Sequence, residues 1–299
     1  MKHIRIALLS MTLLLCLAAT ARAESRLEHI RKTQTLTLGY LETSFPFSYL
    51  DGDQPIGYAL DICRAIAAAV GRELGLSRLV VQEIPGSAST RMALVVGGQA
   101  DLFCSTDTHD AWRERQVAFT PTIFVAHTRF LALKSSGVRT LADLRGKRVL
   151  STGGTTNVAW LQTLNASQNL GMRVGFAKNP EDALQRLEQG EAQAYFMDDS
   201  LLAGLVARSA QPARWFVSPQ AFTVEPYGIM MPKFEPEFQR VVRAALVGMM
   251  RDGRLKKLYR RWFLEPIPPG GVVLGWPMSA VLERVLASPT DSADPKAYQ

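Results

Sequence analysis

The stretch Thr106-Asp107-Thr108-His109-Asp110-Ala111-Trp112-Arg113 is the part of this chain best equipped to hold a small anion. It follows an apolar run ending in Phe103-Cys104-Ser105, so hydroxyl residues stand at the end of a strand and an arginine sits inside the next helical turn. Arg113 offers a planar, two-pronged donor that matches a carboxylate, and Thr106 and Thr108 add hydroxyl and backbone donors. Asp107 lies between two threonines on an extended segment, so its side chain points away from theirs and reads as structural. A surface loop with a solvated arginine is the plainer alternative for this stretch alone; the rest of the chain decides between them.

Two further stretches could meet a small polar molecule. Ser151-Thr152-Gly153-Gly154-Thr155-Thr156 opens a helix, and such a start presents free backbone N–H groups to an anion, although a plain helix cap explains it equally well. Asp198-Asp199 follows a strand at its carboxyl end, where open α/β sheets bind ligands; Asp198 is assigned to a cleft and Asp199 to capping the next helix. Gly146-Lys147-Arg148 is not a phosphate-binding P-loop, because the upstream glycine and the hydroxyl after the lysine are missing. No GxSxG nucleophile motif occurs, and His29, His109 and His127 do not cluster with Cys or Asp at metal-ligand spacing. Neither a metal nor a cofactor is expected.

Composition narrows the class. A basic start (Met1-Lys2-His3-Ile4-Arg5), an apolar run to Ala19 and the small-x-small Ala21-Arg22-Ala23 read as a signal peptide over 1–23, too short in its apolar part for a comfortable membrane span. Cys16 lacks the preceding small residue of a lipoprotein anchor, so a free exported protein starting near Glu24 is expected. The full chain carries +7; the leader removes Lys2, Arg5 and Arg22 and no acids, leaving about +4. With no dense basic run and no basic–aromatic interleaving, nucleic acid is not an expected partner. Cys63 and Cys104 remain, either as one disulfide or as two buried thiols.

The elements that position these groups alternate. Strands are expected over 36–40, 79–84, 100–104 and 117–121, with helices from about Leu60 and around 90–95 that stops at Gly97-Gly98. Thr128 begins another strand and the pattern restarts: a strand after Gly146, the helix at Thr155, a helix capped by Asn179-Pro180, and a strand over 192–197. A strand over 226–231 and one long helical region over 237–263 close the pattern, and 278–286 carries the last strong signal. This rhythm gives an α/β layer with a mostly parallel sheet.

Taken in order, Pro46-Phe47-Ser48-Tyr49, Gly57-Tyr58 with Asp61, Gly98-Gln99-Ala100-Asp101, Arg113 with Phe119-Thr120-Pro121, 141–147, Gly154-Thr155-Thr156, Glu225-Pro226-Tyr227-Gly228 and Tyr259 with Trp262-Phe263 resemble the periplasmic substrate-binding proteins of polar amino-acid ABC importers. Cys104-Ser105-Thr106, Thr122-Ile123-Phe124-Val125, Met197-Asp198-Asp199 and Pro266-Ile267-Pro268-Pro269 are similar to the glutamate/aspartate-binding branch. The resemblance covers nearly the whole mature chain. It implies a type II periplasmic-binding-protein fold: two α/β lobes, two crossover strands as hinge, and a ligand closed between them. Lobe 1 would span 24–127 and 223–265, an inserted lobe 2 would span 128–222, and a tail over 266–299 would pack on lobe 1.

Carried over by position, Arg113 would hold the ligand α-carboxylate with Thr108, Thr155 and Thr156, and Asp198 would take the α-ammonium with Thr106 beside it. The chemistry agrees, since an ammonium has only donors and a carboxylate only acceptors. At the side-chain end the branch's charged set is thinned: Leu41, Ala88 and Pro180 stand where that branch has arginine, serine and histidine, and Arg91 remains. Either Arg91 and backbone groups suffice to select an acidic side chain, or the pocket is retuned to a less charged ligand; Phe47 is the aromatic placed near the ligand, ahead of Phe45, Tyr49 and Trp112. The expected protein is a periplasmic monomer, not an enzyme, that captures an acidic or polar L-amino acid, glutamate or aspartate first, and delivers it to the membrane subunits of an ABC permease. A dehydratase-like enzyme on the same scaffold is the alternative, with Asp198, Glu42 and Glu225 as its available acids; service to a sensor is a third reading.

Overall fold

The computed structural model describes residues 24–299, so the expected signal peptide lies outside the described residues. The chain enters through α1 (Arg26–Thr33), whose start is closed by a capping box between Ser25 and Glu28. It then forms β1 (Thr35–Leu41), a small antiparallel sheet of β2 (Thr43–Ser44), β3 (Ser48–Asp51) and β4 (Gln54–Ile56), and α2 (Tyr58–Glu73). After β5 (Val80–Gly86) come α3 (Arg91–Val96), β6 (Leu102–Phe103), β7 (Val117–Phe119) and β8 (Phe124–Ala126).

The second half of the pattern runs β9 (Thr128–Leu133), β10 (Arg148–Thr152), α4 (Thr156–Ser167), β11 (Arg173–Ala177), α5 (Pro180–Glu188), β12 (Ala194–Asp198), α6 (Asp199–Arg208) and β13 (Trp215–Val217). The chain returns through β14 (Glu225–Tyr227) and β15 (Met230–Pro232), and ends in α7 (Pro236–Arg251), α8 (Arg254–Phe263) and α9 (Ala280–Ala287). α5 starts where the sequence asks it to: the Asn179 side chain accepts from the Asp182 N–H at 2.8 Å and Pro180 occupies the first turn.

Two five-stranded sheets result, ordered β5-β1-β6-β15-β7 and β11-β10-β12-β9-β13. In each, the strands from the alternating pattern run parallel: β1 with β5 and β6, and β10 with β11 and β12. β8 and β14 pair antiparallel with each other, and they carry the chain from the first sheet to the second and back. This is the expected two-lobe α/β architecture with two crossover strands. The first core packs α2 (Ile62, Ile66, Val70) and α7 (Phe238, Val242, Leu246) on the first sheet; a second centres on Phe130, Val149, Leu161 and Phe196. Cys63 on α2 and Cys104 at the end of β6 form a disulfide, which resolves the choice the sequence left open.

Three readings are corrected by tertiary structure. The strand expected over 226–231 is split into β14 and β15 at Gly228, where an added Cβ would stand 3.1 Å from the Thr120 carbonyl oxygen. The helical region expected over 237–263 breaks at Gly253, whose φ of 81° is left-handed and ends helix propagation. Asp199 is the first residue of α6 and Asp198 holds the N-cap position, without a side-chain capping bond.

Beyond Glu265 the tail lies against the first sheet's side of the molecule. The Thr122 N–H donates to the Thr290 carbonyl at 2.8 Å, the Tyr298 and Thr122 hydroxyls are 2.8 Å apart, and Val285 and Tyr298 pack on Val125 of β8. No described helix is long and apolar enough to cross a membrane.

Candidate functional site

A cavity of about 170 Å³ lies where the carboxyl ends of parallel strands from both sheets converge. From the first sheet it receives Leu41 at the end of β1, Arg91 opening α3, and Thr106 and Thr108 beyond β6. From the second come Thr155 and Thr156 at the start of α4 and Asp198 ending β12. Parallel strands deliver these groups to one end of each sheet, and at Thr156 and Asp198 a helix then carries the chain away. The two sides already touch: the Thr108 and Thr156 hydroxyls are 3.5 Å apart.

Asp198 is the buried acid of the site, 2 % exposed. One carboxylate oxygen accepts from Asn157 Nδ2 at 2.9 Å, and the other accepts from the Tyr227 hydroxyl on crossover strand β14. Burial, and then the neighbouring Glu225 charge, push its pKa up to about 7. Glu225 sits behind Thr156, accepting from its hydroxyl at 2.9 Å and from Thr223 at 2.6 Å. A cation placed at Asp198 would relieve both the burial and the repulsion.

The arginines are held differently. Arg91 is buried and pairs with the fully buried Asp107 at 2.9 Å, while the same Nη1 donates to the Thr106 carbonyl at 3.2 Å. Arg113 Nη1 donates to the Thr108 carbonyl at 3.0 Å, and its Nε lies 3.8 Å from Asp110. Burial first, then the charge of Arg91, lower the Arg113 pKa to about 10. Its other guanidinium donors have no protein hydrogen bond among the described residues.

Of the residues expected at the site, Leu41, Arg91, Thr106, Thr108, Thr155, Thr156 and Asp198 line the cavity. Arg113 is not on the lining; it stands behind Thr108. Phe47 is not there either: it is fully buried in an aromatic cluster, with ring centroids 4.9 Å from Phe124 and 5.4 Å from Tyr227. Phe45 and Tyr49 are likewise buried, and Trp112 is 54 % exposed. Ala88 and Pro180, the other two positions that depart from the acidic-ligand pattern, are on the wall.

Sequence reasoning missed Asn157 and Tyr227 as partners of Asp198, because they come from 41 and 29 residues away along the chain. It also passed over Lys178, just past the end of β11, which lines the cavity together with Glu42. The signal that could have found Lys178 was position alone, the first residue beyond a parallel strand. Among the described residues no three His, Cys, Asp or Glu side chains cluster as a metal site.

A two-sheet α/β molecule with crossover strands and a polar cavity at the carboxyl strand ends is, as a class, a bilobal binding protein of type II. Residues 36–265 match the family of bacterial extracellular solute-binding proteins, family 3, and the chain belongs to that family. It is 39 % identical over 271 residues to an L-glutamate/L-aspartate-binding protein of Pseudomonas aeruginosa, covering 89 % of each chain. It is 35 % identical over 276 residues to a glutamate/aspartate import solute-binding protein of Escherichia coli, covering 92 % of this chain and 91 % of that one. Among solved structures, an ancestral arginine-binding protein bound to arginine superposes with a TM-score of 0.69 at 27 % identity, covering 77 % of this chain and 98 % of that one.

Proposed function

We propose that this protein captures an L-amino acid, glutamate or aspartate first, in the periplasm and delivers it to an ABC permease. The observation that carries the reading is a buried, cation-seeking Asp198 that shares one cavity with threonine hydroxyls and Arg91, with Arg113 held behind Thr108. In this reading the ligand ammonium sits at Asp198 beside Thr106. Its α-carboxylate meets Thr108, Thr155 and Thr156 and draws the free donors of Arg113 forward, and Arg91 adds donors toward the side chain. The moving bodies are 24–127 with 223–265, and 128–222, hinged at β8 and β14. A ligand that bridges both bodies binds the closed arrangement better and shifts the population toward it.

The family's import role supports capture without chemistry. Of the three acids an enzyme could use, Glu225 is engaged by Thr156 and Thr223 and Asp198 by Asn157 and Tyr227, while Glu42 lines the cavity without a protein partner among the described residues. A thermal-shift screen of the ligand-stripped protein against the common amino acids tests the reading. Glutamate and aspartate are expected to raise Tm in proportion to the logarithm of their concentration over Kd, and neutral aliphatic amino acids are not. No shift with any α-amino acid contradicts it.

A further inference from the structure

We propose that Lys178 and Glu42 read the distal end of the ligand side chain, Lys178 as the attracting cation and Glu42 as the opposing charge that narrows the preference for an acid over its amide. This deepens the amino-acid reading above and rests on it. The charges on the cavity wall limit what can meet a distal carboxylate. The Arg91 charge is already answered by Asp107, which is fully buried and 2.9 Å away, so the pair presents donors to the cavity but no net charge. Asp198 and Arg113 are taken by the ligand's α-groups. Leu41, Ala88 and Pro180 on the remaining wall offer a carboxylate nothing, and Thr43, Ser44, Ser87, Thr152 and Asn179 add neutral donors but no positive charge. A distal carboxylate closed against such a surface without a cation loses its hydration uncompensated.

Lys178 removes that difficulty. It follows β11 directly and lines the cavity from the second sheet's side. Its backbone N–H donates to Asp182 at 2.9 Å, which fixes the main chain, while its ammonium has no hydrogen bond or ion pair with any described residue. The four-carbon stem lets that ammonium follow side chains of different length, as a reader of both aspartate and glutamate must. Glu42 follows β1 directly and lines the cavity from the first sheet's side; its carboxylate is also without a protein partner among the described residues. A carboxylate on the same cavity as Lys178 repels a distal acid and accepts from a distal amide, so it offsets part of the discrimination that the lysine supplies.

The test is calorimetric titration of wild type, Lys178→Met, Lys178→Arg and Glu42→Gln with L-glutamate and L-glutamine. Both residues are exposed, so the variants are expected to keep the wild-type melting temperature in the absence of ligand. Lys178→Met should weaken glutamate by about tenfold or more while changing glutamine little, because a charged hydrogen bond is lost only by the acid. Lys178→Arg should restore most of the loss, and Glu42→Gln should raise the glutamate-to-glutamine affinity ratio above wild type. A Lys178→Met protein with the wild-type ratio overturns the proposal even if both ligands bind well. Wild type that binds neither ligand overturns the amino-acid reading itself and this inference with it.

Discussion

Asp198 shows how one buried carboxylate can be a poor residue for folding and a good one for binding. Its pKa stands at about 7 against an ordinary 3.8, because burial and the Glu225 charge both favour the neutral form. For the ligand-free protein the sign follows: the stability this group contributes is full below the ordinary carboxylate pKa and is lost as pH rises through about 7. A ligand ammonium beside it favours the ionised form and lowers the pKa again. Affinity for glutamate should therefore fall as pH drops below about 7, and binding near neutrality should release a proton. Titration in buffers of different ionisation enthalpy measures that release; a binding enthalpy independent of buffer contradicts the Asp198 assignment. Arg91 is the contrasting case. It lines the cavity while paired with the buried Asp107, and breaking such a pair leaves an uncompensated buried ion at about 3–5 kcal/mol.

At the scale of elements, the alternation of strands and helices was plain from apolar spacing, and so were the starts of α4 and α5 with their cap residues. What could not be read locally was set by distant partners. A promising strand divides at Gly228 because its two halves pair with different partners, β14 with β8 and β15 with β6 and β7, and Gly253 ends a helix whose apolar stripe continues beyond it. Phe47 looked like a pocket wall, but Tyr58, Phe124, Tyr227 and Phe263, from four separate segments, enclose it. The turn before α4 makes a testable contact. Gly154 has φ of 80° and a Cβ there would lie 2.8 Å from the Ala88 carbonyl oxygen, across from the first sheet's side. Gly146 has φ of 68° with nothing within 4 Å. Both Gly154→Ala and Gly146→Ala should lose about 1 kcal/mol of stability to backbone strain. Only Gly154→Ala should also weaken ligand binding, because it obstructs the meeting of the two sides. Equal affinities in the two variants would show that this contact has no part in closure.

For the molecule as a whole, two sheets, one antiparallel pair of crossings and a cavity between them suit a clamp; in the proposed function a bridging ligand stabilises its closed form. Tyr227 ties the crossing β14 directly to Asp198, and the tail packs on the other crossing through Val125. In the proposed function the cleft holds a zwitterion by its two ends. Calorimetric titration of the ligand-stripped protein with L-glutamate, with glutarate, which lacks the ammonium, and with γ-aminobutyrate, which lacks the α-carboxylate, tests it most directly. Saturable one-to-one binding of glutamate and a loss of about a hundredfold or more for each analogue is the predicted result, since each leaves a buried charged group without its partner. Glutarate or γ-aminobutyrate binding as tightly as glutamate would contradict the account.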